Sequence, residues 1–155
     1  MKVVILGCGR VGSTIATTMS VEGHDVTIID QNPDSFRRLG QDFAGKTVVG
    51  NGIDEDTLRK AEVDHADAFV ATTNGDNRNI MSVQVAKVKL KVPKVVARIY
   101  DPIRSAAYAD LGIDTLCTTC VSSGLLHDKI LGVPFKEVES YCKFGMDKAT
   151  EAKND

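Results

Sequence analysis

Short apolar runs alternate along the chain with segments whose apolar residues recur at helical spacing. The runs are rich in Val and Ile and do not alternate with polar residues, which is typical of strands buried on both faces of a parallel sheet. They predict six strands, at residues 2–6, 25–30, 46–49, 68–72, 94–99 and 113–116. Five strand–helix units and a final strand therefore predict an α/β fold built from βαβ units.

The segments between the strands predict helices with recognisable starts and inward faces. After the first strand, Val11, Ile15 and Met19 lie four residues apart, so we expect them to face the sheet in a helix that ends near Gly23. Three later helices have expected N-terminal caps in Asn32, Asp54 and Asp101. The helix after the fourth strand has an expected buried face formed by Ile80, Val83, Ala86 and Val88.

The C-terminal part of the chain predicts one more helix and a tail. The helix covers residues 121–131, and an apolar-spotted segment follows at 135–144. The polar stretch Asp147–Asp155 is expected to fray. We therefore divide the chain into a domain at 1–131 and a helical tail at 132–155.

Composition narrows the class of protein. The 155 residues are 43% hydrophobic and carry a net charge of −2 without a block of like charge, so we expect one domain and no nucleic-acid surface. No apolar run approaches the ~18–20 residues of a membrane span, and no basic leader precedes the first strand. The expected location is the cytoplasm, with no membrane span and no processing.

The four cysteines are expected to be reduced thiols, as is usual in a cytosolic chain with a core of its own. Cys117 and Cys120 have the spacing of zinc ligands, and His127 follows. A zinc site needs a second ligand pair of matching type, and the remaining Cys and His residues are scattered, so we expect no metal. A redox role for the two cysteines is the other alternative.

The chemistry is concentrated in Gly7-Cys8-Gly9-Arg10-Val11-Gly12, which joins the first strand to the first helix. This is the spacing of a dinucleotide-binding turn, in which the glycines allow a tight turn, close approach of a pyrophosphate and close helix packing. The amides at the helix start would face the anion. The alternative is that the glycines have no ligand and only allow the strand and the helix to pack closely at the turn.

Arg10 is either a solvated side chain or a ligand of phosphate oxygens.

Asp30 ends the second strand eighteen positions after Gly12, where an acid accepts hydrogen bonds from ribose hydroxyls. Its charge would repel a 2′-phosphate, which favours NAD or an adenosine nucleotide over NADP, and Gln31 directly follows it. Further polar residues and glycines follow the other strands, at the sheet edge where α/β proteins bind ligands. They are Asn51, Gly52, Thr72, Thr73, Asn74, Asn77 and Arg98. Most have an alternative role in capping a helix or turn, and Arg98 is expected to serve an interface or a ligand.

A catalytic apparatus is not recognisable in the sequence. His24 and His65 are expected at the surface, and His127 has no evident acid paired with it. The sequence offers no triad, metal cluster or Walker lysine, and no substrate domain follows the sixth strand. These observations favour a binding protein over an enzyme.

Together these motifs resemble the RCK N-terminal (KTN, TrkA-N) domain over residues 1–131. The resemblance rests on the glycine turn with Asp30, on Val49-Gly50-Asn51-Gly52, on Ala71-Thr72 followed by Asp76, Asn77 and Asn79, and on Val96-Ala97-Arg98. It implies a Rossmann-like doubly wound sheet of order 3-2-1-4-5-6 and a C-terminal crossover helix, here within 121–144, that packs on a partner subunit.

The resemblance also implies a function. Members regulate Trk- and Ktr-type potassium transporters and potassium channels as dimers or rings on the cytosolic face of the membrane subunit. They bind NAD(H), ATP or ADP, which places Gly7, Gly9 and Gly12 around the phosphates and Asp30 on the ribose. Arg10 would reach terminal phosphates near the dimer partner, and Asn51 and Thr72 would flank the adenosine. Members usually carry a C-terminal ligand-binding domain as well, so we expect either a single-domain regulatory subunit or part of a split protein whose partner supplies that domain.

Two hypotheses of different class result. The first is a non-catalytic nucleotide sensor that regulates potassium flux by a conformational change. The second is an NAD-dependent oxidoreductase cofactor domain without its substrate domain.

Overall fold

The structure is a computed structural model that describes residues 1–142 and 144. The strands are β1 (Lys2–Leu6), β2 (Asp25–Asp30), β3 (Lys46–Val49), β4 (Ala68–Ala71), β5 (Lys94–Ile99) and β6 (Asp114–Cys117). The α-helices are α1 (Arg10–Val21), α2 (Glu55–Lys60), α3 (Asp76–Gln84), α4 (Pro102–Asp110), α5 (Thr118–Leu131) and α6 (Val138–Tyr141). Two 3₁₀ segments, Pro33–Leu39 and Val63–His65, and a π-helical turn, Val85–Lys89, complete the elements.

The sheet has the strand order β3-β2-β1-β4-β5-β6, and the pairings of β1 with β2 and β4, of β2 with β3 and of β4 with β5 are parallel. This confirms the predicted Rossmann-like doubly wound sheet. The order reverses between β1 and β4, because the chain first builds outward through β2 and β3 and then returns to the other side of β1. Such a reversal leaves a crevice at the carboxyl ends of the two central strands.

Helix α1 meets the core through its smallest side chains. Gly12, Ser13 and Ala16 are buried, and Ile15 and Met19 pack beside them against the core. The expectation that Val11 faces the sheet is wrong, since its side chain is 38% exposed. Helix α1 begins so close to the glycine turn that only a glycine fits at position 12. The buried residues of the helix therefore include Gly12 and Ala16, one position after the expected Val11 and Ile15.

The helix after β4 changes its geometry at its end. Asn79, Ile80, Ser82 and Val83 of α3 are buried, and the π-helical turn Val85–Lys89 follows without a break. A π-helical turn holds more residues than an α-helical one, so it rotates the residues after it relative to the sheet. Ala86 stays buried as expected, whereas Val88 is 63% exposed, and its expected burial is wrong.

Capping residues begin three of the helical segments as expected. The Asn32 side chain accepts the Asp34 amide, although the helix it begins is a 3₁₀ helix rather than an α-helix. Asp54 caps α2 and Asp101 caps α4.

The chain divides into two compact units, Met1–Arg98 and Ile99–Asp155.

In the second unit, α6 packs against α5 through a buried tyrosine. The Tyr141 ring covers Gly124, and its hydroxyl donates to Asp128 Oδ2 (2.8 Å) and accepts the Lys136 amide (2.8 Å). Asp128 Oδ1 lies 3.0 Å from His127 Nδ1, so the expectation that His127 has no acid beside it is wrong. The hydrogen bonds from His127 and, secondly, from Tyr141 lower the pKa of the Asp128 carboxyl, although its burial acts in the opposite direction.

The segment Asp147–Asp155, expected to fray, lies outside the described residues.

The packing of Tyr141 on Gly124 predicts that Gly124→Ala lowers the free energy of unfolding by about 1–2 kcal/mol. A Cβ at this position would collide with the Tyr141 ring. Alanine is otherwise worth about 1 kcal/mol more than glycine inside a helix, so a net loss identifies the collision. Urea denaturation followed by circular dichroism measures the change.

The matched control is Ser123→Ala, at the exposed neighbouring position of the same helix. It should leave stability unchanged or slightly raised. Equal stabilisation by both substitutions would contradict the packing of α6 on α5.

Candidate functional site

Two glycines of the turn between β1 and α1 are required by the fold. Gly7 has φ +98°, and a Cβ on it would lie 3.0 Å from the backbone nitrogen of Thr73. A Cβ on Gly12 would collide with the Gly7 carbonyl oxygen and would lie 2.7 Å from Thr72 Oγ1. The turn is therefore packed directly against the residues that follow β4, and neither glycine leaves room for a side chain.

Gly9 is different, because no contact within the described residues requires a glycine there. Its φ is −80°, which suits any residue, and in this part of the chain no atom beyond its own chain neighbours lies within 4 Å of an ideal Cβ. Gly9 is the N-cap of α1, where no side chain caps the helix and no acidic residue occupies the first turn. The backbone amides of the first turn lack acceptors within the helix, and they are available to an anion that approaches Gly9. Arg10 and Val11, both exposed, are the next two residues.

The Asp30 carboxylate joins the end of β2 to the glycine turn. Its Oδ2 accepts the Cys8 amide (2.7 Å), and its Oδ1 accepts the Asn32 amide (2.9 Å). A carboxylate has about four acceptor positions, so two are still available to hydroxyl donors. The side chain is half-buried, and Gln31 beside it is exposed.

The Cys8 thiol packs inside the turn. It is buried and donates to the Ser35 carbonyl oxygen (3.2 Å). Burial, and secondarily the charge of Asp30, raise the pKa of Cys8 to about 11, although the Arg38 charge acts in the opposite direction. Cys8 is therefore a packing residue, since its thiolate is scarce at neutral pH.

Thr72 and Thr73 form the wall of the turn on the β4 side. Thr72 is buried, and its hydroxyl lies 3.1 Å from the carbonyl oxygens of both Leu6 and Gly7. Thr73 is held by Asn79, which accepts the Thr73 amide (3.0 Å) and hydroxyl (2.6 Å). The Thr72 hydroxyl is thus directed towards β1. The contact of Thr72 with an adenosine stays a prediction.

Asn79 is named in the sequence analysis only within the family resemblance, and its contact with the glycine turn is not predicted there. It is fully buried and belongs to the Asp76–Asn79 stretch that carried the family resemblance, but no periodic pattern marks it as a contact of the turn. The available signal was the asparagine itself, since a polar side chain among the buried positions of a helix needs partners.

The remaining candidate residues lie at different distances from the turn. Arg98 Nη2 donates to the Thr73 carbonyl oxygen (3.1 Å), which brings the end of β5 to the same loop. Gly52 is buried, and a Cβ on it would collide with the Leu6 side chain. Asn51 Oδ1 accepts the Ile53 amide (3.4 Å) in a local turn. Asn74 and Asn77 are exposed in the loop after β4 and at the start of α3.

The cysteine pair of the second unit forms the N-terminal cap of α5. Cys117 is the N-cap of α5, and its Sγ accepts the Cys120 amide (3.4 Å). Both are buried, and burial, followed by the hydrogen bond with Cys117, raises the pKa of Cys120 to about 12.

Over residues 1–142 and 144, no group of three or more His, Cys, Asp or Glu side chains is placed to hold a metal ion. In the same part of the chain, no helix has the length and apolar character needed to cross a membrane.

Comparison with known proteins identifies relatives of the chain. The model of the TrkA-N domain matches residues 3–119. The chain is 51% identical over 118 residues to the Trk system potassium uptake protein TrkA of Streptomyces coelicolor, covering 76% of this chain and 53% of that protein. It is 37% identical over 114 residues to the Trk system potassium uptake protein TrkA homolog of Methanothermobacter thermautotrophicus, covering 74% and 52%. The chain therefore spans about half the length of these two relatives.

Solved structures share the fold. The Kef CTD of Shewanella denitrificans in its AMP-bound form has a TM-score of 0.73 at 23% identity, covering 99% of this chain and 94% of that one. The GsuK RCK domain has a TM-score of 0.71 at 22% identity, covering 84% and 28%. The GsuK channel bound to NAD has a TM-score of 0.63 at 18% identity, covering 74% and 21%.

The contrast between Gly9 and Gly12 predicts opposite effects of the same substitution. Gly12→Ala should lower the free energy of unfolding by at least about 2 kcal/mol, because the new Cβ collides with the Gly7 carbonyl. Gly9→Ala should change it by less than about 1 kcal/mol, since the position is open and its φ is allowed. Urea denaturation of both variants tests this, and an equally large loss for Gly9→Ala would contradict the open site.

Proposed function

Because the chain belongs to the TrkA-N family, we propose that it is a non-catalytic nucleotide-sensing regulatory domain of a potassium uptake system. In this proposal the domain binds an adenosine nucleotide at the glycine turn and changes the conformation of a dimer or ring. The ring contacts the membrane subunit of a potassium transporter at the cytoplasmic face of the membrane, and potassium flux changes as a result. The proposed nucleotide domain is 1–131, and 132–155 is the proposed dimerisation tail.

The observation that carries the proposal is the open position at Gly9. Packing inside the protein explains Gly7 and Gly12, whereas nothing within 4 Å explains the missing side chain at Gly9. The same residue begins a helix without a side-chain cap, so first-turn amides are available there. Both features support a pyrophosphate as the ligand, since a pyrophosphate would accept from these amides and needs close approach to the backbone.

The side chains around the turn support an adenosine nucleotide as the ligand. Asp30 is fixed by two backbone amides and keeps acceptor capacity for ribose hydroxyls. Arg10 is exposed beside the helix start and forms no ion pair with another residue in the described part of the chain, so its guanidinium is available to phosphate oxygens. The fold is shared with a protein solved in AMP-bound form and with a channel solved with NAD and with ADP. We assign NAD(H) as the ligand, with ATP or ADP as the alternative.

The oxidoreductase alternative receives no support from the cysteine pair. Cys117 and Cys120 are buried, and the high pKa of Cys120 leaves it protonated at neutral pH. Thiol exchange requires the thiolate. His127 forms a hydrogen bond with the buried Asp128 in the second unit, which is typical of a histidine with a structural role.

The second unit supports a role in self-association. Six large apolar side chains of α5 and the following segment are exposed, and we refer to them as the apolar surface: Leu126, Ile130, Leu131, Val133, Phe135 and Val138. Leu126 and Ile130 lie one turn apart on the same face of α5. Exposed apolar groups of this number are typical of a protein interface, and we propose that a second copy of the chain covers them in a homodimer.

A nucleotide that binds at the turn must raise the melting temperature. At a concentration about 100 times its Kd, binding stabilises the folded protein by about 2.7 kcal/mol. We expect NAD, NADH, ADP or ATP to raise Tm by several degrees, and NADP to have less effect because Asp30 repels the 2′-phosphate. A thermal-shift panel of these nucleotides is the measurement.

Gly9→Ala is the matched variant, because it leaves the fold intact. Its new Cβ occupies the approach of the phosphates, so we expect Kd to rise at least about tenfold in isothermal titration calorimetry. The proposal fails if no nucleotide shifts the Tm of the natural chain, or if Gly9→Ala binds as tightly as the natural chain does.

The apolar surface predicts a homodimer that Ile130→Glu converts to monomers. Ile130 is 82% exposed, so the substitution places a charge at the interface without disturbing the monomer core. Size-exclusion chromatography with light scattering gives the mass. Ser123→Glu, at an exposed polar position of the same helix, is the control and should stay dimeric. A natural chain that is monomeric at micromolar concentration would contradict the homodimer.

A further inference from the structure

Asn79 uses all the hydrogen-bonding capacity of its side chain on two residues. Its Oδ1 accepts the Thr73 amide (3.0 Å) and the Thr73 hydroxyl (2.6 Å). Its Nδ2 donates to the carbonyl oxygens of Thr73 (3.0 Å) and Arg98 (2.8 Å). An amide has two acceptor positions and two donor hydrogens, so this fully buried group is completely satisfied. Such a network is rigid, since any shift leaves a buried polar group without a partner.

The contacts of Asn79 with Thr73 reproduce those of a neighbouring strand. One side chain binds both the N–H and the C=O of the same residue, as a paired strand does at one position of a ladder. Strand β4 ends at Ala71, so Thr73 lies beyond the sheet pairing. Asn79 therefore holds a loop residue where the sheet itself no longer does.

The loop held by Asn79 lies directly against the glycine turn. The backbone nitrogen of Thr73 is 3.0 Å, and the carbonyl carbon of Thr72 is 3.2 Å, from where a Cβ of Gly7 would be. The Thr72 hydroxyl reaches the Gly7 carbonyl oxygen (3.1 Å), with which a Cβ on Gly12 would also collide. Because no side chain fits between the loop and the turn and a hydrogen bond joins them, we expect the loop and the turn to move together.

We propose that Asn79 is a positioning residue of the nucleotide site, which through Thr73 holds the glycine turn in the conformation that binds phosphates. Asn79 itself does not contact the ligand, because it is fully buried and all its polar positions are occupied. The inference rests on the proposed function for its consequence, but the support of the turn is a property of the free protein. It can therefore be measured without a nucleotide.

The first test is hydrogen exchange of the free protein, followed by mass spectrometry. In Asn79→Ala, peptides covering residues 6–13 should exchange about tenfold faster than in the natural chain, because the loop no longer supports the turn. The segment 25–29 in β2 should be unchanged. Val83→Ala is the control, since it removes buried packing from the same helix and leaves every hydrogen bond of Asn79 with Thr73 in place. Equal exchange of residues 6–13 in both variants would overturn the proposal.

The second test is titration with ADP and with NAD at a temperature where circular dichroism shows each variant folded. A role in stability alone would lower Tm and leave the Kd of folded molecules unchanged, as we expect for Val83→Ala. For Asn79→Ala we expect a Kd at least about tenfold higher. If Asn79→Ala does not fold, Thr73→Val replaces it in the exchange experiment, because it removes the hydroxyl bond to Asn79 (2.6 Å) together with the longer bonds to the Gly75 amide and carbonyl oxygen.

The outcomes separate the two proposals. Faster exchange of residues 6–13 without nucleotide binding by the natural chain would support the bracing of the turn, overturn the proposed function and remove the ligand site from the inference. Binding by the natural chain together with an unchanged Kd in Asn79→Ala would overturn the positioning role and leave the proposed function standing.

Discussion

The close approach of Gly7 to the residues after β4 is the constraint on which the rest of the first unit depends. Gly7 has φ +98°, and no side chain fits between its backbone and Thr73. The contact fixes where the chain leaves β1, and so where α1 begins and how closely it crosses the sheet. It also explains why Gly12, Ser13 and Ala16 form the buried face of the helix, since only small residues fit at that distance.

Asp30 connects this turn to the next strand and links folding to the proposed binding. One carboxylate oxygen is held by the Cys8 amide and the other by the Asn32 amide. Hydrogen bonds between charged and backbone groups are stronger than neutral ones, so the carboxylate is oriented before any ligand arrives. A preorganised acceptor loses little further freedom on binding, which favours affinity. The same geometry thus stabilises the corner and holds the carboxylate in place for the proposed ribose.

The sequence was sufficient for the order of elements and for the glycine turn, because these follow from local chemistry. Uninterrupted Val and Ile runs predicted β1, and side chains such as Asp54 and Asp101 predicted helix starts. The burial of Val11 and Val88 was not predictable from spacing. The first depends on how closely α1 crosses the turn, and the second on a π-helical turn that changes the periodicity. Asn79 also escaped prediction, since its four bonds join residues that only the folded sheet brings together.

Glycine has two uses in this turn, and they separate folding from binding. Gly7 and Gly12 are accounted for completely by contacts within the chain, through a positive φ at one and a backbone collision at the other. Gly9 has neither, and a side chain there would project into open space. A glycine there costs backbone entropy and contributes no packing within the described residues, so it is the position that the proposed phosphates use. The helix amides at the same point are their proposed donors, and Asp30 beside them is the proposed acceptor for the ribose.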